Sequence, residues 1–120
     1  MMRRDEERLR DILECIDSLS LAIVAKMQAD FESDSIIQKA VLHDILIIGE
    51  AASHVSQGLR DKHPEVPWRR LSGVRNVIVH AYFSVNLDII WQSATEDLLP
   101  LRTQIAEILK AEFPDNTESE

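Results

Sequence analysis

Apolar residues recur at spacings of three and four along almost the whole chain, and that period commits it to helices. Leu9, Ile12, Leu13, Ile16, Leu19, Ile23 and Met27 make one stripe, and Ile36, Ile37, Ala40, Val41, Ile45, Ile48, Ala52, Val55 and Leu59 a second. A third runs through Leu87, Ile90, Ala94, Leu98, Leu101, Ile105 and Ile108. A sandwich or barrel needs a turn about every dozen residues, and 3 Gly and 4 Pro in 120 residues cannot supply them. The expected fold is all-α, an up-and-down bundle of four to five helices. One domain is expected over residues 1–113, with an acidic, disordered tail over 114–120.

Local signals place the breaks. Arg3, Arg4, Glu6, Glu7, Arg8 and Arg10 read as a solvated first two turns. Small polar residues in Asp30-Phe31-Glu32-Ser33-Asp34 can cap a second helix. That helix should stop near His63-Pro64, because a residue before proline resists the helical conformation. Pro67 suits the first turn of a shorter third helix, residues 67–82. The last helix starts near Ser84 to Asn86, and Pro100 should kink it.

Charge is unevenly spread. The chain carries −8 in all, which on its face disfavours nucleic acid. Between Leu59 and Arg75, however, Arg60, Lys62, Arg69, Arg70 and Arg75 face only Asp61 and Glu65, a local +3. A basic surface on an acidic body remains compatible with a phosphate-bearing partner. No apolar run approaches the roughly 20 residues of a membrane span, and the N-terminal Met-Met-Arg-Arg-Asp-Glu-Glu-Arg lacks a signal peptide's hydrophobic stretch. The lone Cys15 cannot make an internal disulfide. A cytoplasmic protein is the expectation.

Chemistry concentrates in Trp68 to Phe83. On a helix at about 100° per residue, Val74, Val77, Ile78 and Ala81 form a core-facing stripe. Arg75 and Tyr82 share one flank, and Asn76 and His80 the other. Val79 and Phe83 lie between those flanks, away from the core stripe. Apolar residues there predict a second contact, a homodimer seam or a partner groove. Arginine offers a planar charged fork for phosphate oxygens, and histidine can take or give a proton near neutral pH. Asn76, one turn before His80, can fix its tautomer or touch a substrate. Arg75 and His80 stand about 140° apart round the helix, so they do not stack on one face; the expectation is that two copies facing each other across Val79 and Phe83 converge into one composite cleft. Spacing alone favours a solvated or salt-bridged Arg and His.

Arg75-Asn76-Val77-Ile78-Val79-His80 and Tyr82 resemble the motif of the HEPN superfamily in its HepT-like toxin branch: arginine, a polar residue, three residues, histidine, and tyrosine two further on. Ile48-Gly49-Glu50-Ala51, Pro67-Trp68, Tyr82-Phe83, Trp91 and Asp97-Leu98-Leu99-Pro100-Leu101 extend the likeness across residues 37–109. The resemblance implies a metal-independent ribonuclease without cofactors, the toxin of a toxin–antitoxin pair, working as a homodimer on RNA. It implies Arg75 and His80 as catalytic residues with Asn76 in support. It further implies a minimal nucleotidyltransferase antitoxin that silences the toxin by transferring AMP to Tyr82. The alternative reading is a non-catalytic helical dimer that binds a nucleotidyltransferase or a nucleotide.

Other candidates read as structural. His43, Glu50 and His54 share a helical face but have no Glu-x-x-His partner elsewhere, so no metal site is expected; Glu50 and His54 read as a surface pair or a buried hydrogen bond. Cys15 reads as a small packed residue, and Trp68 and Trp91 as packing anchors. Arg69-Arg70 and Arg60/Lys62 would guide RNA, meet an acidic partner, or merely solvate helix ends.

Overall fold

In a computed structural model, which describes residues 2–114, most of each expected stripe is buried along one helix face; Ile36 and Ala40 of the second stripe are exposed, because at the start of their helix the neighbouring helices do not cover them. α1 (Met2–Ile23) packs on α3 (Ser35–Ser53), and α3 on α5 (Trp68–Phe83). A last rod begins with α6 (Leu87–Gln92) and ends with α7 (Arg102–Glu112), which returns along α1. Two short helices, α2 (Gln28–Glu32) and α4 (Gln57–Lys62), complete the described residues. The fold is all-α, with no strand among the described residues. No helix among them is long and apolar enough to cross a membrane. The expected tail lies outside the described residues from 115 onward.

Leu9, Ile12, Ile16 and Leu19 of α1 meet Val41, Ile45 and Ile48 of α3 in a fully buried core. Ile90, Ala94, Leu98, Leu101, Ile105 and Ile108 keep one face inward along the whole last rod. They do so across Pro100 because the ladder changes pitch: Ser93–Leu98 is a π-helical turn and Leu99–Leu101 a 3₁₀ turn. Proline has no N–H to donate into the α-helical ladder. The widened and tightened turns absorb that missing donor and hold the stripe in register.

Several local expectations need correction. The first helix ends at Ile23, not Met27, which is exposed and precedes α2. The connector around Phe31 contains α2, which seats Phe31 in the core with its ring 5.4 Å from that of Trp91. As expected, Asp34 caps the following helix, accepting from the amides of Ile36 and Ile37. The first turns of α1 are not wholly solvated, because Asp5 and Glu6 are buried.

Asp5 explains the break of the second expected helix into α3 and α4. Its carboxylate accepts from the Ser56 amide at 2.8 Å and the Ser56 hydroxyl at 2.6 Å. The same hydroxyl oxygen accepts from the Leu59 amide and caps α4. Arg60 donates to the carbonyls of Ala52 and Val55 at the end of α3, so it satisfies a helix terminus. The connector after α4 is pinned by His63, whose Nε2 lies 2.8 Å from Glu112 and whose carbonyl accepts from the Trp68 indole. Trp68 and Trp91 are thus both packing residues, the first buried and the second packed against the core.

Candidate active site

One close crossing places α5 against α3. A Cβ at Gly49 of α3 would lie 3.3 Å from the Arg75 Cβ, the Leu71 carbonyl oxygen and a Val74 methyl. A side chain here would press on all three, so glycine lets α3 approach α5 without displacing it. Glu50, next in sequence, therefore stands beside Arg75. Its Oε1 accepts from Arg75 Nη1, and its Oε2 lies 2.9 Å from His54 Nε2. The hydrogen bond with His54 first, then the charge of Arg75, holds the Glu50 carboxyl below its ordinary value. His54 and Glu50 form an exposed surface pair. No cluster of three or more His, Cys, Asp or Glu side chains among the described residues could hold a metal ion.

The buried face of α5 runs through Trp68, Leu71, Ile78 and Ala81, with Val74 partly covered. Val77 was expected on that stripe but is 53 % exposed. α5 packs chiefly on α3, and Val77 falls outside the arc its neighbours cover. Asn76 and His80 lie exposed on the outer side. They make no hydrogen bond to each other, and the His80 ring has no hydrogen-bond partner among the described residues. Tyr82 is half-buried on the Arg75 flank, its ring edge-on to Phe83 at 5.9 Å. Phe83 itself is 79 % exposed.

The end of α5 holds a strained residue. Val85 takes φ 57°, while its amide donates to the Tyr82 carbonyl and the Asn86 amide donates to that of Ala81. This is a Schellman ending, in which the left-handed position is ordinarily glycine. A β-branched residue there is an outlier, and Val85 is also exposed.

The basic residues separate by role. Arg70 pairs with Asp97 at 3.0 Å, and Lys62 with Glu112 at 3.3 Å. Arg69 has no partner among the described residues; with Arg60, Arg70 and Trp68 it lines an open groove of about 600 Å³ between α4 and α5. Cys15 is half-buried, and burial first, then the Asp44 carboxylate, pushes its thiol up to about 11. A thiol kept protonated is a poor nucleophile.

Within one chain Arg75 faces α3 while His80 faces outward, so neither contacts the other. The sequence pairs Glu50 with His54, as the structure does, but does not bring it to Arg75. A helical glycine followed by an acid, opposite the arginine helix, was the one available signal.

A helical bundle with arginine, histidine and tyrosine on one helix is what the resemblance to the HEPN superfamily implies. The family model described as "Ribonuclease HepT-like" matches residues 12–108. The chain is 32 % identical over 110 residues to a protein of Thermococcus cleftensis named probable ribonuclease HepT, covering 92 % of this chain and 100 % of that one. It is 37 % identical over 83 residues to a protein of Caldanaerobacter subterraneus named as a candidate RNase, covering 69 % and 74 %. A similarly named protein of Methanocaldococcus jannaschii is 30 % identical over 106 residues, covering 88 % and 97 %. No solved structure matches the chain. The chain belongs to the HepT-like ribonuclease family of the HEPN superfamily.

Proposed function

We propose that this chain is a metal-independent endoribonuclease toxin whose two protomers pair across Val79 and Phe83. Pairing brings Arg75 and His80 of each copy to one cleft. The observation that carries this reading is the outer face of α5, where an exposed phenylalanine and two exposed valines stand among Asn76, His80 and Arg75. Exposed apolar side chains clustered with chemically able ones mark a surface that is covered in use. Val85 adds to it, retaining strain and exposure where glycine would relieve both.

In that cleft one neutral imidazole of His80 takes the proton of a ribose 2′-hydroxyl. The 2′-oxygen attacks the adjacent phosphorus, and Arg75 stabilises the charge gathering on the phosphoryl oxygens. The 5′-oxygen departs with a proton from the second, protonated His80. The products are a 2′,3′-cyclic phosphate and a 5′-hydroxyl. Asn76 supports His80 or the substrate, and Arg69 and Arg70 contact RNA farther along. Tyr82 is the acceptor of AMP from a nucleotidyltransferase antitoxin. A phosphate there, on the Arg75 flank, would occupy the guanidinium and exclude RNA.

The test is cleavage of a labelled single-stranded RNA in excess chelator. Wild type should cut, and Arg75→Ala or His80→Ala should lose activity by at least a hundredfold with unchanged melting, on the scale of general acid–base catalysis, roughly 10²- to 10⁴-fold. Full activity in either variant refutes the assignment. If neither wild type nor variants cut RNA while the chain still binds a nucleotidyltransferase, the non-catalytic reading prevails. Co-expression with such an enzyme should add the mass of AMP to wild type and none to Tyr82→Phe.

A further inference from the structure

Arg75 uses one corner of its guanidinium and leaves the rest open. Nη1 donates to Glu50, while Nε and Nη2 have no partner among the described residues. Those two donors form the edge that fits two oxygens of one phosphate side by side. Glu50 is in turn held from behind, since His54 Nε2 lies 2.9 Å from its other oxygen. His54 sits at the C-terminal end of α3. The Glu50 carboxyl, drawn below its ordinary value by His54 and Arg75, stays ionised across the neutral range. Stability does not explain the arrangement: all three side chains are about half exposed, and exposed ion pairs contribute little. Placement does, because a Cβ at Gly49 would stand 3.3 Å from the Arg75 Cβ, so the close approach of α3 sets Glu50 beside the arginine.

We propose that Glu50, braced by His54, is a positioning residue for Arg75: it anchors Nη1 and presents the Nε/Nη2 edge to the scissile phosphate. This rests on the ribonuclease reading above. Glu50 does not touch RNA. Its negative charge weakens the pull of Arg75 on phosphate while fixing its direction, so removing it should affect turnover and binding in opposite senses. A guanidinium free to swing in its α5 rotamers loses aim, and misplacement by about an ångström can cost on the order of a hundredfold in rate.

The experiment measures kcat and KM on single-stranded RNA for Glu50→Ala, Glu50→Gln, His54→Ala and Arg75→Ala, with thermal melts of each. Glu50→Ala should lower kcat roughly tenfold to a hundredfold while KM stays level or falls. Glu50→Gln keeps an oxygen acceptor for Nη1 and should recover most of the loss. His54→Ala should give a smaller fall in kcat. Unchanged or raised kcat in folded Glu50→Ala overturns the proposal, as does a loss expressed only as higher KM, or a glutamine variant no better than alanine. Arg75→Ala separates the two levels. If it stays active, the ribonuclease reading of Arg75 fails; if it is dead while Glu50→Ala is fully active, only the positioning role fails.

Discussion

Replacing Gly49 by alanine should destabilise the protein, whereas the same change at Gly73 should stabilise it. Both glycines sit inside helices, where alanine is favoured by up to about 1 kcal/mol. At Gly73 a new Cβ meets nothing within 4 Å, so that gain stands. At Gly49 it meets three atoms at 3.3 Å. One of them is the Leu71 carbonyl oxygen, which cannot withdraw unless α5 moves. Forcing a methyl group into a close-packed contact costs about 1–3 kcal/mol, which exceeds the propensity gain. The expected result is a loss of about 1 kcal/mol for Gly49→Ala and a gain approaching ~1 kcal/mol for Gly73→Ala. For a chain of this size each corresponds to roughly 3–6 °C in Tm. Calorimetric melts at one protein concentration measure both. Because the displaced atoms include the Arg75 Cβ, RNA cleavage by Gly49→Ala should fall further than its stability. A Gly49→Ala protein that melts higher than wild type, by as much as Gly73→Ala, would refute the reasoning about the α3–α5 crossing.

Other outcomes follow from single contacts. Asp5→Ala leaves the Ser56 amide and hydroxyl without their acceptor and should cost about 1–3 kcal/mol in denaturant unfolding; a change below about 0.5 kcal/mol contradicts the capping role. Val85→Gly relieves the left-handed strain at the end of α5 and should raise stability by about 0.5–1 kcal/mol, with equal or lower stability as the contrary result. The Glu112 carboxyl is held below its ordinary value by the hydrogen bond from His63, then by Lys62. A depressed carboxylate stabilises the fold above its unfolded-state pKa, and that contribution disappears as pH falls through the folded value. Glu112→Gln should therefore lower Tm at neutral pH, with the gap closing below about pH 4; a gap that persists in acid contradicts the His63–Glu112 clamp.

The bundle was readable because stripes such as Ile90 to Ile108 are a local property, and burial followed them even across Pro100. What the sequence concealed depends on pairs far apart in the chain. The split between α3 and α4 comes from Asp5 reaching Ser56, 51 residues away, which no local rule anticipates. Val77 satisfies the helical period yet is exposed, because period tells which residues align and not how wide an arc the neighbours cover. At the site, the motif residues on α5 were visible as one run. Glu50 lies 25 residues from Arg75, and only the crossing at Gly49 makes it a neighbour.

The dependence of cleavage on pairing is measured by giving Phe83→Asp to sedimentation and to the RNA assay side by side. Phe83 is exposed and contributes little to the core, so the variant should fold and melt as wild type does. A cleft shared by two copies requires that it sediment as a monomer and leave RNA uncut. A folded Phe83→Asp monomer that cleaves RNA at the wild-type rate contradicts it.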